Sequence, residues 1–163
     1  MQKDSSMERL LDEDNMQGRY LTFDLGEETY GIEIRYVTEI IGMQSITGVP
    51  DMPSYLRGII NLRGRIIPVL DMRARFKKLL QEYNDRTCII IVDIREISVG
   101  LIVDQVTEVL NIDDNSIELP PDGRTGFSNR FIKGIGKVGE NIKLLINTDR
   151  ILTIEEYNAL QDE

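Results

Sequence analysis

The segment YLTFDLGEETYGIEIRYVTEII (residues 20–41) is written a second time, without a gap, as IIIVDIREISVGLIVDQVTEVL (residues 89–110). Asp24 falls on Asp93, Gly31 on Gly100, and Val37-Thr38-Glu39 on Val106-Thr107-Glu108. Further pairs set apolar on apolar, as Phe23 on Val92 and Ile34 on Val103. A fainter match continues in the same order, GIINLRGRIIPVLDM (58–72) against GIGKVGENIKLLINT (134–148). The offset is 69 positions for the first match (20 to 89) and 76 for the second (58 to 134), so about seven extra residues lie between them. LPPDGRTGFSNR (119–130) is the loop that takes them, marked by its Pro, Gly, Ser and Asn. Ordered self-similarity of this kind is the mark of a duplicated unit, and it restricts the fold to two similar halves.

Within a unit, side chains alternate with period 2, the strand signal. Leu21, Phe23 and Leu25 share one face, and Tyr30, Ile32 and Ile34 another, around a turn at 26–28. This predicts a hairpin with one wet face. VTEII is a further short strand, and 48–53 (GVPDMP) is a loop. GIINL and RIIPVLD flank a tip at Arg63-Gly64. Pro68 cannot donate to a ladder and points to an edge or a bulge. Short strands with frequent turns predict a mainly β fold of two small barrels. The expected division is subdomain 1 at about 18–67 plus 140–152, and subdomain 2 at about 68–139. Helices are expected over 72–83 and 153–163, and residues 1–17, polar and unpatterned, are expected to be mobile.

Composition closes several function classes. There is no histidine, which removes the commonest general base and zinc ligand, and a single cysteine, Cys88. The formal net charge of −9 opposes binding to phosphate backbones. No apolar run approaches the roughly 20 residues of a membrane span, and the acidic N-terminus lacks a secretory pattern. A cytoplasmic protein that needs no cofactor or metal is expected.

Candidate catalytic features are weak. Asp24 and Asp93 stand at strand ends before turns, where Asp is locally favoured. GRTG (123–126) lacks phosphate-loop spacing. RARFKK (73–78) reads as a solvated helix face. Interaction features are stronger. Arg63 and Arg65 sit at a hairpin tip, and Arg is enriched at interface hot spots. The faces expected to be wet differ between units: Tyr20, Thr22, Glu33 and Arg35 in the first, but Ile89, Ile91, Ile102 and Asp104 in the second. An outward apolar patch of three isoleucines calls for a cover, either the rest of the chain or a partner.

Read in order, YLTFDLGEETYGIEIRYVTEII, then PDMPSYLRGIINLRGRIIPVLD (50–71), then GLIVDQVTEVL and FIKGIG, the chain resembles the CheW family, coupling proteins of bacterial chemotaxis, over about residues 19–152. The block RGIINLRGRIIPVLD is the specific part. The resemblance implies two SH3-like β-barrels and a non-enzymatic adaptor. It implies binding to the cytoplasmic tip of methyl-accepting chemotaxis proteins and to the regulatory domain of the histidine kinase CheA. Carried over by motif, the receptor groove takes Val37, Glu39, Ile40, Gly58, Asn61, Leu62 and Arg63, with Val103 from the second unit. The family's kinase contact on the second subdomain matches the expected patch of Ile89, Ile91 and Ile102.

Two rival classes make different demands. A small-barrel RNA-binding or translation-associated protein needs a basic face with stacking aromatics. A carboxylate enzyme needs a pocket holding perturbed acids.

Overall fold

The computed structural model describes residues 17–119 and 130–161; the expected mobile N-terminus and most of the 119–130 loop, with GRTG, lie outside them. The first unit contributes β1 (Arg19–Leu25), β2 (Glu28–Glu33), β3 (Val37–Gly42), β4 (Leu56–Leu62) and β5 (Arg65–Asp71). The second contributes β6 (Cys88–Ile94), β7 (Ile97–Val103), β8 (Gln105–Asn111), the short β9 (Ile117–Glu118), β10 (Ile132–Val138) and β11 (Asn141–Ile146). They form two sheets, ordered β8-β1-β2-β11-β10-β9 and β3-β6-β7-β5-β4. Replacing each strand by its repeat equivalent turns one order into the other, apart from the extra β9. The fold is mainly β and duplicated, as the sequence predicts.

The units exchange their first hairpins. β1–β2 belongs to the sheet that holds β8, β10 and β11, whereas β6–β7 completes the sheet of β3, β4 and β5. The sheets therefore take residues 19–33 with 105–118 and 132–146, and 37–71 with 88–103. This corrects the expected split at 18–67 plus 140–152 against 68–139. Self-similarity identifies equal units, but pairing within a unit and pairing across units leave the same sequence trace.

The exchange is sealed by two equivalent parallel contacts, Val69 beside Gly100 and Leu145 beside Gly31. A Cβ on Gly100 would lie 2.8 Å from Ile89 Cγ2 and 3.3 Å from Val69 Cγ2, and one on Gly31 would lie 2.9 Å from Leu145 Cδ2. Close packing of crossing strands explains why both units carry glycine here. Pro68 sits on an interior strand, not an edge. It opposes Ile59, whose own N–H bonds Thr47, and it precedes the β5–β7 pairing at Val69–Asp71, so its missing N–H has no ladder partner to lose.

Three apolar clusters follow from the alternation. The largest lies between the sheets and takes Leu21, Phe23, Leu25, Ile90, Val92, Ile94, Leu101 and Val103. The second fills the hollow of the β3–β7 sheet: Ile60, Leu62, Ile67, Val69, Ile89, Ile91 and Ile102, covered by Ile41, Met43 and Ile46. The third, around Tyr20, Ile112 and Leu145, fills the other sheet. Both faces of β6 are thus buried. Ile89, Ile91 and Ile102, expected as an outward patch, are 0%, 1% and 2% exposed. Tyr20 and Thr22, expected to be wet, are also buried. Thr22 answers its burial by accepting from Glu108 N–H and donating to the Glu108 carbonyl, 2.9 Å away.

The expected helix over 72–83 is only the short α1 (Met72–Arg75). Asp71 caps it, accepting from Arg73 N–H at 2.9 Å, and Lys77 (φ +58) turns the chain out of helix. Beyond it, Arg73 holds the chain by donating to Asp104, to the Leu79 carbonyl and to Gln81. Phe76 packs between Tyr30 and Phe131, with ring centroids 5.1 and 5.3 Å away. Continuing the helix would break these anchors, and the observed path holds to them although it leaves Leu79 and Leu80 exposed.

The C-terminal helix is α2 (Ile154–Gln161). Thr153 and Glu156 form a reciprocal capping box, with Glu156 N–H to Thr153 Oγ1 at 3.0 Å and Thr153 N–H to Glu156 Oε1 at 2.7 Å. Arg75 donates to both oxygens of the same carboxylate, at 3.0 and 3.1 Å. Burial alone would raise the Glu156 pKa; hydrogen bonds from Thr153, Tyr55 and Arg75 outweigh it and take it from 4.5 down to about 2. Because the folded value lies below the unfolded one, this group's stabilisation is complete above about pH 4.5 and is lost as pH falls towards 2. Denaturation midpoints measured across that window should fall more steeply for the native chain than for Glu156→Gln. Parallel slopes would contradict the assignment.

Candidate docking surface

The β4–β5 tip is built by backbone chemistry. Arg63 (φ +52) and Gly64 (φ +86) both take left-handed conformations, the two-residue turn that suits strand twist. Asn61 Oδ1 accepts from Gly64 N–H at 2.8 Å and closes it. Arg65 reaches Ser98 Oγ at 2.6 Å on β7. Arg63 is left to point outward, with its side chain 69% exposed. Holding a non-glycine residue there costs about 1 kcal/mol, so the turn itself would favour Asn or Gly.

Arg63 forms an ion pair with Glu39. Glu39 lies on β3 and Arg63 follows β4, the two outer strands of a five-stranded sheet. Their meeting shows that the sheet curls until its edges approach. The curl is reinforced by the chain after β3: Thr47 and Ile59 exchange backbone hydrogen bonds at 2.9 Å in both directions. Ile40 stands beside Glu39 and is 45% exposed.

The structure sorts the predicted receptor residues into two groups. Ile40, Asn61 and Arg63 are exposed, and Glu39 and Val37 are half-buried, Val37 against the central core. Gly58, Leu62 and Val103 are buried. Leu62 fills the second hollow, Val103 faces the central core, and Gly58 gives room for Thr47 to cross. These three shape the surface from beneath. The predicted kinase residues Ile89, Ile91 and Ile102 are corrected to interior packing, because β4, β5 and residues 41–46 cover that face.

Sequence reasoning passed over Ile66, which is 61% exposed beside the tip; the period-2 pattern of RIIPVL, with Ile67 inward, contained that signal. It also passed over the Glu156 hub, although TIEE at 153–156 spells a capping box. Asp24 and Asp93 both close turns, accepting from Thr29 Oγ1 at 2.9 Å and from Glu96 N–H at 2.7 Å. Tyr20, Phe23, Tyr30 and Phe131 are buried, and the exposed Tyr83 donates to Asp71 at 2.9 Å. No helix among the described residues is long and apolar enough to cross a membrane.

The fold defines the class: a duplicated, two-sheet β module with a charged tip clasped to a strand edge. Comparison with known proteins makes this particular. Residues 19–156 match the CheW-like domain. The chain is 34% identical to the chemotaxis protein CheW of Klebsiella aerogenes, covering 88% of this chain and 86% of that one. It is 33% identical to CheW of Bacillus subtilis, covering 89% and 87%. A crystal structure of the scaffolding protein TtCheW from Thermoanaerobacter tengcongensis superposes with a TM-score of 0.79 at 40% identity, covering 85% of this chain and 94% of that one. The chain belongs to the CheW family, the chemotaxis adaptors.

Proposed function

We propose that this chain is a cytoplasmic, non-enzymatic adaptor that couples methyl-accepting chemotaxis proteins to the histidine kinase CheA. The observation that carries the reading is the Arg63–Glu39 clasp with Ile40 beside it, at the positions the family motif assigns to the receptor. The receptor tip is a helical hairpin. One of its helix faces can lay apolar residues against Ile40 and the half-buried Val37, while Arg63, Glu39 and Asn61 fix its register. Each contact is modest, and assembly into an array makes many act together. The kinase regulatory domain would dock elsewhere on the accessible surface, since Ile89, Ile91 and Ile102 are interior.

Arg63→Asn tests the receptor surface cleanly. Asn tolerates the left-handed turn, so the fold should be as stable as the native one or gain about 0.5–1 kcal/mol. Affinity for a receptor-tip hairpin, measured by calorimetry, should fall at least about tenfold, or 1.4 kcal/mol. Unchanged affinity would refute the assignment of Arg63.

A further inference from the structure

The side of Arg75 away from the tip poses a separate problem. Its guanidinium is buried, lies 4.0 Å from the centre of the Tyr55 ring and 5.0 Å from that of Phe131, and among the described residues has Glu156 as its charged acceptor. Its Nε is buried and finds no hydrogen-bond partner among the described residues. Tyr55 OH donates to the same Glu156 carboxylate, and Arg130 approaches it at 3.4 Å. Three separate parts of the chain therefore meet on one side chain of α2. A second tie holds the helix from the β6–β7 turn, where Tyr157 OH donates to the Arg95 carbonyl.

Tyr55 is the residue immediately before β4. Its carbonyl accepts from Asp71 N–H at 2.8 Å, where β5 passes into α1. The base of the β4–β5 hairpin is thus pinned by Tyr55 through its backbone to β5 and through its hydroxyl to α2. The tip at Arg63 lies one seven-residue strand away, about 23 Å at the usual rise. A rigid hairpin held at its base carries a displacement there to its tip.

We infer that Tyr55 and Glu156 are positioning residues for the docking tip: the C-terminal helix, seated through the Glu156–Arg75–Tyr55 cluster, sets the placement of the β4–β5 hairpin. Seating and unseating of α2 would then alter affinity at Arg63 without touching it. The link to affinity rests on the receptor reading above, while the link between α2 and the base of β4 stands apart from it.

The test uses the full chain and hydrogen exchange read by mass spectrometry, well below the melting temperature. Glu156→Gln removes the hub's charge and one of its two acceptor oxygens. Tyr55→Phe removes only the hydroxyl and keeps the ring over Arg75, so it decides the matter if Glu156→Gln does not fold. In Tyr55→Phe, amides of 154–160 and of 56–62 should exchange faster together, by about fivefold or more, while the central strand β6 keeps its native protection. Affinity for the receptor-tip hairpin should fall about threefold to tenfold in the same variant, measured where it is fully folded, so that lost stability alone leaves it unchanged. Faster exchange confined to 154–160, or joint loosening with native affinity, would overturn the inference. Arg63→Asn run alongside separates the two failures. If it too binds as the native chain does, the receptor reading has failed and the exchange pattern alone judges the link.

Discussion

Ile89→Asp is expected to leave no cooperatively folded protein. Ile89 has no exposed surface and packs within the hollow of the β3–β7 sheet, among Ile60, Leu62, Ile67, Val69, Ile91 and Ile102. None of these side chains can donate a hydrogen bond. Truncating a buried isoleucine costs about 2–5 kcal/mol. Placing a carboxyl group there without a partner adds several more, even if it stays protonated. Together these approach the whole stability of a domain, about 5–15 kcal/mol. Circular dichroism should show no cooperative melt, whereas Ile40→Asp, at an exposed position on β3, should melt close to the native chain. An Ile89→Asp protein that melts normally and loses only kinase-domain binding would restore an outward isoleucine face.

Gly58→Ala should cost about 3 kcal/mol. At φ +146 the backbone of Gly58 is one that side-chain-bearing residues rarely adopt. An added Cβ would sit 2.1 Å from the Thr47 carbonyl oxygen, a backbone atom that cannot swing aside. Relief requires parting Thr47 from Ile59 and losing both of their hydrogen bonds. The repeat equivalent makes a sharp control. A Cβ on Gly134 would meet the Ile117 Cγ2 methyl at 2.7 Å and the Glu118 carbonyl oxygen only at 3.3 Å, and Gly134 lies outside the left-handed region, so Gly134→Ala should be milder. Urea midpoints should fall in the order native, Gly134→Ala, Gly58→Ala. Equal stability of Gly58→Ala and the native chain would contradict the crossing of the chain at Thr47. Reduced partner binding in Gly58→Ala would then report a displaced tip, not a lost contact.

The duplication was legible because Gly31 and Gly100 answer the same packing need in both units, a close crossing beside Leu145 and Val69. The tip was legible because Asn61 and Arg63-Gly64 spell a two-residue turn. The exchange of hairpins was not, since alternation reports which residues share a face but not which sheet a strand joins. The same limit misplaced Ile89, Ile91 and Ile102: period 2 separates them from Ile90 and Val92, and here both sets are inside. The helix over 72–83 failed for a different reason. Met72, Phe76, Leu79, Leu80 and Tyr83 do have helical spacing, but Arg73 bound to Asp104 and Phe76 drawn into the aromatic cluster hold the segment out of helix and leave Leu79 and Leu80 exposed.

The coupling role is tested most directly by sedimentation of three components: this chain, the regulatory domain of the kinase, and a receptor-tip hairpin. A boundary containing all three, absent when this chain is omitted and diminished with Arg63→Asn, is the predicted result. Kinase domain and hairpin that sediment apart whether or not this chain is present would contradict it.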